Sequence, residues 1–507
     1  MINSRMTTNT MLKTALLVFT TLSFGLFGQE KQKNELLNRA FWSQKPTLEL
    51  VKQKIAEGND PTEYDGSQFD PTTLAINTKA SNDIILHLLS FKENHANKIT
   101  HDGRTYIFWA ASQGNIPIIE ELVKMNANLK HVDEKGFTPL IFAASNGQKD
   151  LRIYDLFISK GADIKNERSP AGASALMLLS STFTSMKDAQ PFIDKGLSLK
   201  DKDEKGNNIF AYASRGGKID FLNELIKAGI DPKNIATDGA NAFIMATQGT
   251  RTFANNLEFY KYLEGLGINP NVSTKDGLNP LHNLARGKDA AVVTYFIEKG
   301  CDVNQPNKNG DTPLMLAAGG QKDLELFDLL LKRTKDINLK NKEGQTALTH
   351  AVISNDTKVG LLLINNGADV NVVDNEGNNL SFYLIKHARK MDDYQAKLKM
   401  LNAFGFQNNK IQGNGNTLYH LAVLFKKMDI LKTLAEDKSI DINKANDDSM
   451  TPLHIAASMD DSGEMLQLLL ELGADKSIKT EFDETAYDLA KENELLTKNK
   501  IDLSFLK

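Results

Sequence analysis

The chain has 507 residues, too many for one ordinary compact core, and length alone predicts about three domains. Hydrophobic residues make up 41% and charged residues 24%, the balance of a soluble folded protein. Sixty basic and 64 acidic side chains leave a net charge of −4 with no basic block, which excludes the electrostatic footprint of a nucleic-acid binder.

The first 28 residues read as a secretory signal peptide. Arg5 and Lys13 lead into the apolar run Ala15–Phe27, and Gly28-Gln29-Glu30 then turns polar. The run falls short of the roughly 18 apolar residues that a membrane span needs. Cleavage is expected after Gly28, although Leu26 is larger than the Ala usual two residues earlier. A start at Met11 would leave a signal over 11–28, of bacterial appearance. Removing Arg5 and Lys13 takes the net charge from −4 to −6. No cysteine lies near the cut, so no lipid anchor is expected. The alternative is an uncleaved membrane anchor. Cys301 is the only cysteine, so an exported chain would carry no internal disulfide and depend on packing alone.

The remainder repeats itself. Gly136-Phe137-Thr138-Pro139-Leu140 is followed by Ala143-Ala144, and Gly310-Asp311-Thr312-Pro313-Leu314 by Ala317-Ala318. The same block returns as Ser449-Met450-Thr451-Pro452-Leu453-His454 with Ala456-Ala457. Looser copies start at Gly103, Gly172, Gly206, Gly239, Gly277, Gly344, Gly377, Gly415 and Asp483, and worn copies near Glu35 and Asp70. From Asp70 to Asp483 the spacings run from 33 to 38 residues. Some 23 residues after an anchor comes a Gly-Ala-Asp-like turn, as at Gly161-Ala162-Asp163, Gly300-Cys301-Asp302, Gly367-Ala368-Asp369 and Gly473-Ala474-Asp475.

Each unit predicts two helices and a turn. Thr-Pro opens the first helix, Thr capping free N–H groups and Pro filling a position that needs no donor. The Ala-Ala pair keeps that helix thin. The second helix is amphipathic, as in Leu324–Leu331 and Met465–Leu470, and ends at a Gly suited to a left-handed cap. A short polar hairpin follows, for example Asp369–Gly377. In the repeats starting at Gly239 and Gly377 the second turn falls 28 residues after the anchor instead of 23. Their extra residues are expected within or between the helices, around Gly249–Asn256 and Lys386–Gln395, as tolerated insertions.

The anchor, the turn and the period resemble the ankyrin-repeat family, across essentially all of residues 35–500. The resemblance implies an all-α repeat solenoid of about 14 helix-turn-helix units, each with a β-hairpin or turn. The expected organisation is a signal peptide at 1–28, degenerate N-terminal capping repeats at 35–102, the array at 103–482 and a C-terminal capping repeat at 483–507. End units need polar outer faces, because only inner units are covered on both sides.

No chemistry stands out. After cleavage 479 residues remain (29–507), and the repeats occupy 473 of them (35–507), leaving no stretch for a catalytic domain. His282, His420 and His454 share the slot of the family's Thr-Pro-Leu-His motif, where the resemblance implies a hydrogen bond to the neighbouring loop. His350 sits one place later, and His87, His95, His101, His131 and His387 are scattered. Nothing has metal-ligand spacing. Cys301 fills the slot of Ala162, Ala368 and Ala474, a packed position. Phe108-Trp109 reads as core, and no glycine run reads as a phosphate loop. An enzyme is not expected, nor a cofactor or a metal.

The resemblance implies partner binding through hairpin tips and the concave face of the first helices. The residues before each anchor alternate in sign, as in Glu134-Lys135, Glu204-Lys205, Lys275-Asp276, Lys308-Asn309 and Lys342-Glu343, which argues against a polyanion. The slot after the anchor is expected to be exposed, and there Phe137, Leu278 and Met450 are apolar. Candidate partner-binding residues are therefore Arg104, Lys135, Phe137, Lys205, Lys275, Leu278, Lys308 and Lys342. The expected function is a non-enzymatic scaffold or adaptor of the bacterial periplasm or envelope. Its partners would be proteins, not nucleic acid, and the mature chain would have no integral span. The alternatives are a spacer held at the membrane by an uncleaved signal, or an enzyme with its site on the solenoid.

Overall fold

A computed structural model describes residues 34–354 and 356–507, so the expected signal segment lies outside the described residues. The repeat starting at Gly310 shows how the chain becomes structure. Thr312 caps the helix Pro313–Ala318, its Oγ1 accepting from the Met315 N–H at 3.4 Å, with Pro313 in the first turn. Asp323 caps the second helix, Leu324–Leu331, accepting from the N–H groups of Glu325 and Leu326 at 3.0 and 3.2 Å. Leu326, Phe327, Leu330 and Leu331 face inward, the spacing of one helical stripe.

Twenty-eight α-helices recur in this pattern among the described residues, from Arg39–Ser43 to Glu494–Lys498. The fold is the expected all-α repeat architecture. No strand forms among the described residues. The hairpins are turns, with only three isolated bridges, Thr100 to Arg104, Lys202 to Asn208 and Lys479 to Thr485. The chain divides into two compact units, one ending at Ala175 and the other running from Leu176 to Lys507.

Within each unit, first helices stack on first helices. Tyr106–Gln113 packs on Pro139–Ser145 in the first unit, and Pro313–Ala318 on Ala347–Ser354 in the second. The small slots make this possible: Ala143, Ala144, Ala317 and Ala318 are completely buried. Gly344 shows how closely successive turns approach. It holds φ at +81°, and a Cβ there would lie 2.5 Å from the backbone nitrogen of Asn375 in the next turn.

Side chains tie each repeat to the next. Asn338 donates to the Gly367 carbonyl at 3.0 Å and accepts from the Asp369 N–H at 2.8 Å. Asn304, Asn371 and Asn443 make the same pair of bonds one repeat apart, to Arg333 and Lys335, to Gly405 and Gln407, and to Gly473 and Asp475. A primary amide suits this role because it carries donor and acceptor on one group.

The three motif histidines act in the same direction. Nδ1 of His420 accepts from the Thr417 N–H at 3.1 Å, leaving Nε2 to donate to the Met450 carbonyl at 2.9 Å. His454 repeats this with Thr451 and Ile478, and His282 with Asn279 and Asp311.

Cys301 is buried, donates its thiol to the Pro270 carbonyl at 3.3 Å, and has its pKa pushed up to about 11 by burial. It is a packed thiol whose thiolate form burial disfavours.

The two long repeats absorb their extra residues differently. In the Gly239 repeat the connection between Ala242–Gln248 and Leu257–Gly265 is lengthened, as expected. In the Gly377 repeat it is not. The second helix starts at the usual offset and runs on as Met391–Asn402, 12 residues against 8 in Leu324–Leu331. The worn repeat near Asp70 is also corrected: Gln68, at φ +61°, occupies the anchor slot, and Asp70 caps the helix Pro71–Asn77.

Burial pulls the pKa of His282, His420 and His454 below the ordinary histidine value. Protonation would also place a hydrogen on Nδ1 where it faces an N–H. A depressed pKa gives stability that is fully present above the unfolded value of about 6.5 and is lost as pH falls through the folded value. Urea unfolding of the chain should therefore shift to lower midpoints between pH 7.5 and 5. Replacing the three histidines by Gln should lower the midpoint at pH 7.5 and flatten that slope; an unchanged slope would contradict the assignment.

Candidate functional site

The turns between repeats form the edge on which the candidate residues lie, and in six of them an Asp or Asn three residues before the anchor builds the turn. Asp133 accepts from the N–H groups of Lys135 and Phe137 at 3.0 and 2.8 Å. Its own N–H donates to the Phe137 carbonyl at 2.9 Å, and the Gly136 N–H returns to the Asp133 carbonyl at 2.9 Å. Asp203, Asn307, Asn341, Asp374 and Asn446 do the same in their repeats. This is a local side-chain-to-backbone turn of the kind Asp and Asn favour. Sequence reasoning missed this column, although Asp or Asn three places before the anchor was visible in these repeats.

Successive turns are joined by backbone bonds. The Glu134 N–H donates to the Asp102 carbonyl at 3.0 Å in the first unit. In the second unit Lys275 donates to Asp238 at 2.7 Å, Lys342 to Asn309 at 2.9 Å and Asn375 to Glu343 at 3.1 Å. Main-chain groups at these tips are thus already partnered, and side chains are what the edge presents.

Three candidates meet in one cluster of the first unit. Arg104 pairs with Asp133 through Nε at 2.8 Å and with Asp102 through Nη1 at 2.9 Å, and its guanidinium lies over the rings of Trp109 and Phe142. Lys135 reaches the same Asp102 carboxylate at 2.7 Å. Phe137 packs edge-on against Phe142, with centroids 6.3 Å apart. The cations beside Asp102, with the Lys135 hydrogen bond largest, hold its carboxyl below the usual carboxylate range.

The expectation of exposure after the anchor fails here. Arg104 is only 7% exposed, Asn207 and Asp311 are also buried, and Phe137, Leu278 and Met450 are half-buried. The physical reason for Arg104 and Asp311 is the neighbouring turn, whose Asp133 and Asn341 bond to them. For Asn207 the partner is Asp203 in its own turn, at 2.9 Å.

The other lysines are exposed. Lys205 pairs with Asp238 of the following turn at 2.9 Å, and Lys275 donates its backbone N–H to that same residue, so Lys205 and Lys275 meet at one turn. Lys308 and Lys342 stand exposed on adjacent turns. Phe137 belongs to the first unit and Leu278 to the second.

A row of apolar side chains four residues before the anchor slot is open instead. In the first unit Tyr64, Ile99 and Val132 occupy it in three consecutive repeats, at 42%, 46% and 54% exposure. The Tyr64 hydroxyl donates to the Ile99 carbonyl at 2.7 Å, and Lys98 Nζ lies 4.5 Å from its ring centroid, so the aromatic side chain is fixed in place. Ile235 holds the same slot in the second unit at 69% exposure. Reading the turns as a column four places before the anchor would have found this row.

Among the described residues no group of His, Cys, Asp and Glu side chains is arranged to hold a metal ion, and no helix is long and apolar enough to cross a membrane.

A family model for ankyrin repeats in three copies matches residues 72–168, 243–341 and 314–401, and one for ankyrin repeats in many copies matches 434–490. Alpha-latroinsectotoxin-Lt1a of Latrodectus tredecimguttatus is 26% identical over 436 residues, 81% of this chain and 29% of that protein. An ankyrin repeat protein of Acanthamoeba polyphaga mimivirus is 25% identical over 245 residues, 46% of this chain and 30% of that protein. Alpha-latrocrustotoxin-Lt1a, also of Latrodectus tredecimguttatus, is 32% identical over 232 residues, 43% of this chain and 14% of that protein. The chain therefore matches less than a third of the length of each of these relatives.

The Asp133 side chain is fully buried against Arg104. Arg104→Ala should leave that buried carboxylate with only its backbone N–H partners and no counter-charge, and lower stability by about 3 kcal/mol, the scale of breaking a buried ion pair from one side. Arg104→Ala/Asp133→Asn should recover part of the loss. Urea denaturation with the four-variant cycle checks this, and additive losses would contradict the pairing.

Proposed function

The chain belongs to the ankyrin-repeat family, and from that premise we propose that it is a non-enzymatic protein-binding scaffold, exported to the bacterial periplasm or envelope, that takes its partner on the turn edge of the first unit. Ankyrin repeats imply protein binding. The observation that carries the choice of surface is the row Tyr64, Ile99 and Val132, three apolar side chains left open at one repeat position. Adjacent exposed apolar groups rimmed by charge are typical of a protein contact. Lys135 and Glu134 supply the charged rim. A fixed tyrosine suits an anchor, because it loses little conformational freedom on binding. Arg104 and Asp133 serve by holding the Lys135–Phe137 turn in shape. The mixed charge of the tips favours a protein over a polyanion. Export rests on the basic start and apolar run of residues 1–28.

Ile99→Ser/Val132→Ser changes only exposed groups and should leave stability within about 0.5 kcal/mol. Crosslinked capture from a cell-envelope extract should show a partner bound to the wild-type chain and reduced at least tenfold with this variant. Equal capture by both chains would overturn the surface. In the same extract, N-terminal sequencing should find Gln29 first; an intact terminus in the membrane pellet would overturn cleaved export and favour the anchored spacer.

A further inference from the structure

The connections between first and second helices lie at the other end of each helix pair from the turn edge. In the second unit, residues from three successive repeats at that end line an open cavity of about 330 Å³. Lys322, Asp356, His387, Arg389, Asp393 and Lys397 line it. The volume is at the lower end of the range that small-molecule sites occupy.

The charges around this cavity do not cancel. Lys397 is 7% exposed at its side chain and donates to the Val352 carbonyl and to the Asp393 carboxylate, both at 3.0 Å. That pair neutralises itself. Asp356 caps the helix Thr357–Asn365 through the Lys358 N–H at 3.0 Å. Lys322 and Arg389 have no ion-pair partner among the described residues and are exposed at the rim.

Two further cations are fixed beside it. Lys427 donates to the Ala388 carbonyl at 2.6 Å, and the Lys386 ammonium stands over the rings of Phe382 and Phe425. Burial first, and then the charges of Lys386, Arg389, Lys427 and Lys397, hold the His387 imidazole below its ordinary pKa, the mark of a locally positive field. The 12-residue helix Met391–Asn402 begins two residues after Arg389, with no side chain capping its first turn. Asp392 and Asp393 stand in that first turn and offset the partial positive charge of the helix start, so the side-chain cations carry the field at the cavity.

We propose that this cavity binds a small oxyanion, inorganic phosphate or the phosphate group of a monoester, gripped by Lys322 and Arg389. Arginine matches the oxygens of a phosphate with its planar fork, and lysine adds a mobile point charge. The site lies away from the turn edge and does not depend on the partner surface proposed above.

Isothermal titration of the full chain at low ionic strength, with inorganic phosphate and separately with glycerol 3-phosphate, tests this. Saturable binding of one anion per chain is expected. Lys322→Ala/Arg389→Ala should raise the Kd at least tenfold while leaving thermal melting unchanged. Lys308→Ala/Lys342→Ala removes the same formal charge from the turn edge and should leave the Kd within twofold. Tighter binding of glycerol 3-phosphate identifies a monoester as the ligand, and equal binding identifies free phosphate. Absence of saturable binding to the wild-type chain, or equal weakening by the two double variants, overturns the site.

Discussion

A helix pair of this size cannot bury its own apolar stripe, and everything else in the molecule follows from that shortage. The helix that carries the stripe Leu326, Phe327, Leu330 and Leu331 packs on its own partner helix Pro313–Ala318 and also on the second helices of both neighbouring repeats, Ala290–Glu298 and Thr357–Asn365. Stability therefore resides between repeats as much as within them. Burial alone would allow one pair to slide on another. The amides of Asn304, Asn338, Asn371 and Asn443 prevent this, each reading one carbonyl and one N–H in the following loop. The histidines at 282, 420 and 454 add a second fixed reach from a first helix into the next turn.

The same stacking decides where function can reside. Turn backbones bond to each other, and the slot after the anchor is drawn under its neighbour, as Arg104 is under the Asp133 turn. Besides the charged tips, the slot four places before the anchor stays open on that edge, and in three consecutive repeats of the first unit it is apolar. The opposite end of the helix pairs carries the connections between first and second helices, which are also tied from repeat to repeat, as Gln321 is to the Ala285 and Gly287 carbonyls. There the cations Lys322, Lys386, Arg389, Lys397 and Lys427 gather near His387 and outnumber the acids Asp356, Asp392 and Asp393.

The period was legible because it records backbone geometry. Most anchors hold a positive φ that glycine tolerates, and where glycine is missing the exceptions are themselves informative: Ser449 at +58°, Asp483 at +64° and Gln68 at +61°. The last was misplaced by two residues because Asp70-Pro71 imitates the anchor when it is in fact the helix cap. The packed role of Cys301 was legible from the alanines that share its slot. Exposure of Arg104 was misread because its burial depends on Asp133, 29 residues later in the chain. The extra residues near Lys386–Gln395 could enter a loop or a helix with the same spacing. Tyr394, Met400 and Leu401, all buried, favour the helix, and Gly360 leaves room for Met400 to pack.

If contacts between repeats, set in register by the asparagine amides, carry the fold, then one whole repeat is removable and half of one is not. Deleting residues 310–343 joins Asn309 to Gly344 and offers Asn304 the Gly367 carbonyl and Asp369 N–H that Asn338 now holds. Circular dichroism with urea titration of this chain should show unchanged helix content per residue and cooperative unfolding. A chain lacking only residues 310–326 should lose both. Equal collapse of the two deletions, or equal tolerance of them, would contradict this account.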